Sequence, residues 1–365
     1  LAAVVALGVP AVVIGSELTA AEGIALNGGQ LLLAAPLGMV LAGFLLTSGA
    51  WMSASLGVPG ARVARPALGS WGGVILGLIH LVALLGWGST ALAMASDWMR
   101  LALARMGVEL PEWVPVAVVV TFGTGLALVG PAWASRVWAL RFAFWFQATL
   151  LVAALVGGLE QAGGGLVGRQ PGPAFWLGVD SLLVLALLWW PFALDSARFS
   201  VDERNAVSGI GLGFAVPGLI AVLAAGLLGL PGASLLDTLV GSLLWGGLFL
   251  GWAMLAGTNT AMGHLYPMGM ALVGPTERLL ARHVVPLTAA LMFAGAVAGG
   301  ALSRQIGDLA VAVLAPMVAV ILADFYWVRD RSYQEDELYG RRGIYAPLSW
   351  AGWLAVVVGA VVGLW

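Results

Sequence analysis

A chain of 365 residues that is 61% hydrophobic and 9% charged is not a soluble globular domain, and its net charge of −2 does not suit a nucleic-acid partner. The absence of cysteine excludes disulfides, thiolate metal sites and cysteine nucleophiles. All sixteen basic residues are arginine, and their distribution orients the chain.

A membrane-spanning helix needs about 20 mostly apolar residues. Eleven segments qualify as candidates: 1–26, 31–52, 71–94, 114–130, 137–158, 175–194, 209–230, 239–255, 286–301, 309–328 and 346–365. Threading them back and forth places Arg62, Arg65, Arg136, Arg141, Arg198, Arg204, Arg278, Arg282, Arg329, Arg331, Arg341 and Arg342 on one side. Only Arg100, Arg105, Arg169 and Arg304 fall on the other. The positive-inside rule makes the richer side cytoplasmic. A multi-pass protein of a prokaryotic inner membrane is therefore predicted, with its N-terminus inside. The first apolar run reads as a span and not as a signal peptide, because it has no basic flank or clear cleavage site and carries polar residues within. The 52 glycines suit close helix packing in lipid.

Charge within hydrocarbon is costly and marks function. In chain order, Glu17 and Glu22 lie in the first span, His80 in the third, Asp180 and Asp195 in the sixth, and His264 after the eighth. The first span reads GVPAVVIGSELTAAEGIALNGG, with Gly15, Ser16 and Glu17 near its middle. That run predicts a helix broken at Gly15 and lining a cavity; glycine used for packing is the alternative. In the third span, Trp87 sits among glycines in LLGWGST and offers a stacking surface, whereas His80 reads as a neutral residue packed between helices. In the sixth, LLVLALLWWPFALDSARF, Pro191 removes a backbone donor beside Trp189. Interruptions in the first and sixth spans are what two inverted five-span halves around a midplane site predict, and a simple proline kink is the alternative. Asp195 and Arg198 read as a structural pair at the cytoplasmic end. In the eighth span, Thr258, Asn259 and Thr260 provide oxygen ligands for a small hard cation such as sodium, or hydroxyls that bond back to their own helix. His80, His264 and His283 have no metal-ligand spacing, and neither Gly-x-Ser-x-Gly nor His-Glu-x-x-His occurs, so an enzyme is not expected. A polar spot without a continuous polar stripe favours alternating access over an open pore.

These residues, with the C-terminal stretch, resemble the nucleobase–cation symport-1 family, the purine and cytosine permeases. ILADFYWVRDRSYQEDELYGRRGIYAPLSWAGWLAVVVG is similar to the family's signature at the end of span ten, with Asp324, Arg329, Leu338, Tyr339 and Gly343 in register and Phe325 where tyrosine is usual. ARVARPALGSWGG is similar to the loop between spans two and three, with Leu68 in place of phenylalanine. Trp189, Pro191, Asp195, Arg198 and Phe199 resemble the sixth-span run of the hydroxymethylpyrimidine permease branch, departing from it at Ser196 and Ala197.

The resemblance implies an all-α membrane protein of the leucine-transporter fold. Residues 1–158 and 175–328 are then inverted halves with helices 1 and 6 broken, and 346–365 is an extra C-terminal span; the family usually has twelve spans, one more than counted here. It implies cation-coupled import of a pyrimidine-type heterocycle, hydroxymethylpyrimidine (a thiamine precursor) first, with cytosine, another nucleobase, a hydantoin or allantoin as the alternative. Trp87 and Trp189 are expected to sandwich the ring and Glu17 to read its polar edge. Glu22, Ser16 and Asn259 are further substrate candidates. Thr258 and Thr260, with carbonyls of Val13 and Ser16, are expected to hold sodium. Gly257 stands where some members have a serine ligand, which leaves a proton, through Glu17 or Glu22, as the other coupling ion. No cofactor beyond that ion is expected, and the chain is expected to be a monomer in the bilayer.

Overall fold

The computed structural model describes residues 2–20, 24–130, 133–162, 172–228, 243–276, 280–334, 338 and 347–363. Every regular element among them is helical. The first span is α1 (Ala2–Ala6) and α2 (Val9–Ala20), and the second is α3 (Gly28–Leu56). Two short turns, α4 (Gly60–Val63) and α5 (Arg65–Leu68), lead to α6 (Gly72–Arg105) and α7 (Trp113–Val129). A π-helical stretch, Ala134–Ala143, runs into α8 (Phe144–Ala162). Then come α9 (Pro173–Ala197), α10 (Glu203–Leu228), α11 (Leu243–Thr276), α12 (Ala281–Val297), α13 (Ala301–Ala323, continued by a π turn to Val328) and α14 (Trp350–Gly363). The described helices thus supply the eleven expected apolar segments in order.

Local chemistry fixes the ends. Before α3, the Asn27 side chain accepts the Gln30 N–H at 2.9 Å, and the Gln30 side chain accepts the Asn27 N–H at 3.3 Å, a reciprocal cap. The helix stops at Gly57, whose φ of +65° closes it in the left-handed region and whose N–H reaches Ser53 O. Helices 28–56, 72–105, 173–197, 203–228 and 302–328 are each long and apolar enough to cross a bilayer. Their outer faces carry bare hydrophobics such as Phe44, Val40, Leu212 and Leu309, which suits lipid and not water.

The helices pack in two groups. In one, α3 lies along α9 and α10, and α1 and α2 lie on α10. In the other, α6 runs along α11 and α12, and α7 packs on α11 and α12. Spans one, two, six and seven therefore go together, as do three, four, eight and nine. The fifth span leans on α10, and the tenth (α13) on α6.

Three expectations about where helices break or end need correction. The first span is interrupted at Leu7–Gly8, not at Gly15. Gly15 lies inside α2, where an added Cβ would stand 2.5 Å from Val222 O, so its smallness lets α2 touch α10. Pro10, in the first turn of α2, lacks an N–H that this turn would leave unbonded. The sixth span is not broken, because α9 runs through Pro191 without a stop. His80 Nε2 lies 2.9 Å from Leu188 O, in the turn that the proline weakens. The eighth span extends to Thr276, so Thr258–Thr260 and His264 occupy a helix interior and not its end.

On the arginine-rich side, two of the motifs read from the sequence meet. Arg62 and Arg65 both donate to the Leu338 carbonyl. Trp353 Nε1 and Ser349 N both donate to Leu68 O, and Gly352 leaves room for Ala67 O, which a Cβ would meet at 2.2 Å. Asp324 accepts the Tyr333 hydroxyl at 2.9 Å and pairs with Arg329 at 3.8 Å. These residues build a clamp between the α4–α5 loop and the last two spans. Tyr339 and Gly343 lie outside the described residues. Asp195 accepts the Gly60 N–H at 3.1 Å, and Arg198 is near enough to act on its charge, with the Arg198 guanidinium 4.5 Å from the centre of the Phe199 ring.

Candidate functional site

The first cluster lies where α2, α6 and α13 converge near the arginine-poor side. Gly86 and Gly307 bring α6 and α13 together: a Cβ on Gly86 would fall 2.6 Å from Gly307 N and 2.3 Å from Ser303 O. That approach carries Arg304, in the first turn of α13, across to the other two helices. Its Nη1 and Nη2 each donate to one oxygen of Glu17 at 3.0 Å. Its Nε lies 3.2 Å from both oxygens of Asp308, one turn further along α13. The guanidinium carbon sits 3.7 Å from the centre of the Trp87 ring. Fork and face are the two ways a guanidinium binds best, bidentate to a carboxylate and stacked on an aromatic plane. Trp87 Nε1 closes no hydrogen bond of ordinary geometry, although Asp308 is near enough to interact with it.

A second layer lies deeper, between α6, α9 and α11. The space beside Gly88 is filled by Met292 Sδ and by His264, whose ring atoms would stand 3.0–3.1 Å from an added Cβ. His264 Nδ1 lies 2.7 Å from Thr260 O, and its ring meets that of Trp189 edge-on with centres 5.0 Å apart. The other nitrogen, Nε2, is buried without a partner, and so is Nε1 of Trp189. Buried polar atoms are normally bonded, so an orphan on each of two rings in contact marks a place with hydrogen-bonding capacity to spare.

Below Trp189 a cavity of about 660 Å³ leads to the arginine-rich side. Trp189, Phe192, Phe214 and Tyr266 form its apolar wall; Arg136, Ser196, Ser200 and Asn205 stand at the inner helix ends. The molecule thus has a wide cavity inward of Trp189 and an ion pair with a stacked guanidinium outward of it.

The expected site residues distribute as follows. Glu17 and Trp87 come together, around Arg304. Trp189 belongs to the deeper layer with His264 and Phe192. The Ser16 hydroxyl donates to Val13 O at 2.8 Å within α2, so those two residues bond to each other. Thr260 Oγ1 accepts the Val9 N–H at 3.0 Å, at the start of α2. Asn259 turns elsewhere: it accepts from Trp138 Nε1 and donates to Gln147 Oε1, both at 2.7 Å. Residues one or two apart on an unbroken helix do not share a face, so Thr258 and Thr260 are not brought to one point. Glu22 lies outside the described residues. Among the described residues no group of three His, Asp or Glu gathers in a way that would hold a metal ion.

Sequence reasoning assigned no role to Arg304 or Asp308, and it named His264 only as an ionisable residue near membrane depth. A signal was present for the first two: Arg304 is one of few arginines on the outer side, with an acidic residue four positions on.

No protein-family model matches the sequence, and no curated protein matches it. Solved structures do. A nucleobase–cation-symport-1 family transporter, Mhp1, in a closed conformation with bromovinylhydantoin bound, superimposes with a TM-score of 0.70 at 18% identity, over 100% of this chain and 89% of that one. The inward-facing conformation of Mhp1 gives 0.66 at 17% identity, over 100% and 87%. A mutant of the Eremococcus coleocola manganese transporter gives 0.58 at 16% identity, over 100% and 84%. These neighbours are transporters and not enzymes, and this chain has their leucine-transporter-type fold.

Proposed function

We propose that this protein is a secondary active transporter that imports a pyrimidine-type heterocycle, hydroxymethylpyrimidine first, coupled to a cation by alternating access. The observation that carries the reading is the closure of Glu17 and the Trp87 face around a flat, nitrogen-rich group, inside a fold shared with a transporter whose structure has bromovinylhydantoin bound. A ring stacked on Trp87 gains about 1–3 kcal/mol, and a carboxylate at its edge fixes orientation. Trp189 and His264 line the next step of the path, and the cavity beneath them leads to the cytoplasmic side. In this reading residues 1–158 and 175–328 are the inverted halves, which the grouping of spans one, two, six and seven against three, four, eight and nine supports. The N-terminus is cytoplasmic, in keeping with the arginine distribution.

The coupling ion is sodium or a proton. Of the expected cation ligands, Thr260 is the best placed, because it abuts the Leu7–Gly8 interruption, where the last carbonyls of α1 have no following turn to bond them. Cytosine, another nucleobase, a hydantoin or allantoin is the alternative substrate within the same class. Two carboxylates bridged by a guanidinium beside an aromatic face, with no third metal-ligating group gathered among the described residues, support a heterocycle over a divalent metal as cargo, despite the manganese transporter among the neighbours.

The test is uptake into proteoliposomes of labelled hydroxymethylpyrimidine, with cytosine, uracil, hypoxanthine and allantoin as competitors. Imposed sodium and proton gradients are applied separately. Accumulation above equilibrium, driven by one gradient and lost in Trp87→Ala, is expected. Failure of the whole panel to enter, or entry that neither gradient drives, overturns the proposal.

A further inference from the structure

We infer that Arg304 is a built-in occupant of the ligand position, and that the ligand it stands in for presents an amidinium edge: a flat ring with a ring N–H beside an exocyclic amine. This rests on reading Glu17 and Trp87 as substrate contacts.

The guanidinium of Arg304 is flat, lies on the Trp87 face at 3.7 Å, and directs two N–H groups at the two oxygens of Glu17. A 4-aminopyrimidine protonated at N3, the ring nitrogen next to the amine, has the same outline. Its ring N–H and its amine are joined through one carbon, as Nη1 and Nη2 are joined through Cζ, so it fits the same fork over the same face. The exchange is charge for charge, which matters because removing one partner of a shielded ion pair leaves the other charge uncompensated. Uracil and hydantoin edges alternate carbonyl, N–H and carbonyl. Against the two oxygens of Glu17 they offer one donor and set a carbonyl lone pair against the second oxygen.

Arg304 also has somewhere to go. Its Nε is already held by both oxygens of Asp308, on its own helix, so it can release its fork and keep a counter-charge. Glu17, Trp87 and the Arg304–Asp308 pair belong to three different spans, so a ligand that replaces the guanidinium loosens α13 from α2. The side chains of Arg304, Glu17 and Asp308 are 23%, 37% and 49% exposed, so the exchange is open to the outer side.

The experiment is calorimetric titration of the full chain in nanodiscs at fixed ionic strength with benzamidine, 4-aminopyrimidine and uracil. Arg304→Gln removes the competitor and is expected to tighten benzamidine at least about tenfold, the worth of one hydrogen bond to a charged group. Asp308→Asn leaves Arg304 with Glu17 as its counter-charge and is expected to weaken benzamidine about two- to fivefold, the scale of a part-exposed ion pair. Glu17→Gln abolishes benzamidine binding, and uracil gains nothing from Arg304→Gln. A folded Arg304→Gln protein with equal or weaker benzamidine affinity overturns the inference, as does a gain for uracil equal to that for benzamidine. If Arg304→Gln does not fold, Asp308→Asn decides, and unchanged or tighter binding there overturns it. Wild-type uptake of a heterocycle combined with these negative results removes the amidinium inference and leaves the transport proposal standing. Uptake of none, with benzamidine behaving as expected, removes the proposed cargo and leaves the site.

Discussion

The hydroxyl of Thr260, in the middle of α11, accepts the backbone N–H of Val9, the first residue of α2, at 3.0 Å. One side chain of the eighth span thus caps the point where the first span restarts after its interruption. Thr260→Val removes the acceptor and leaves a buried N–H unpaired, at a cost of about 1–3 kcal/mol. Thr260→Ser keeps the oxygen. Thermal unfolding in detergent is expected to drop for valine and to hold for serine. An oxygen that accepts one hydrogen bond retains a second lone pair, so if this residue also serves the cation, any stabilisation by sodium disappears in the valine variant and survives in serine. Loss of stability without loss of the sodium effect would confine Thr260 to its capping role.

The two tryptophans are separable by experiment. Trp87 offers a ring face, now covered by Arg304, and Trp189 carries an orphaned N–H on a ring in contact with His264, whose Nε2 is also orphaned. Trp87→Ala is expected to weaken substrate binding by about 1–3 kcal/mol, the value of a stacked base. Trp189→Phe keeps the ring and removes the N–H, and a smaller loss of about 0.5–1.5 kcal/mol is expected. The same loss in Trp189→Phe and His264→Ala, measured by titration, would tie those two polar atoms to one ligand. No change in either would make this layer a packed wall of the path.

Much of this architecture is legible in the sequence because apolar length is a strong signal and arginine placement orders it. The eleven segments and their alternation come from those two properties alone. The helix breaks were harder. Gly15 looked like the weak point of the first span, but a glycine read alone does not separate a break from a close approach, and Val222 O supplies the approach. Gly8 followed by Val9 and Pro10 was the better clue, since proline suits the first turn of a restarting helix. Pro191 was read as a break and is absorbed within α9. Glu17 and Trp87 were found from their depth in the membrane. Arg304 was passed over because its number places it at a span end, and long side chains at such ends are expected to seek water. Only the contact of Gly86 with Gly307 shows that it turns inward.

The clamp at the arginine-rich side makes a prediction of opposite character. Arg62 and Arg65 converge on one carbonyl, that of Leu338, far from Glu17 in the chain and on the other side of the molecule. Arg65→Ala is expected to lower stability by about 1.5–3 kcal/mol, the range for hydrogen bonds to charged groups, while substrate affinity stays within twofold of wild type, roughly the additivity limit for distant sites. Unfolding and titration of the same preparation separate the two. A large loss of affinity at unchanged stability would mean that the clamp communicates with the site.

The absence of cysteine allows a direct test of sidedness, because any introduced thiol reports alone. Ser196 lines the inward cavity beneath Trp189, whereas Ser303 sits beside the Gly86–Gly307 contact on the other side of it. Ser196→Cys is expected to react with a membrane-impermeant maleimide from the arginine-rich face, and Ser303→Cys to be shielded by α6. Gly86→Ala places a methyl group 2.3 Å from Ser303 O, which neither backbone can absorb without moving. It is therefore expected to push α13 away from α6, separate Arg304 from Glu17 and Trp87, and raise labelling at Ser303→Cys from the outer face. If the two sides belong to one alternating cycle, the same change lowers labelling at Ser196→Cys, since opening outward draws the inner cavity shut. Labelling that rises at one position and stays level at the other would mean that the outer ion pair and the inner cavity move independently, and alternating access would need a different joint.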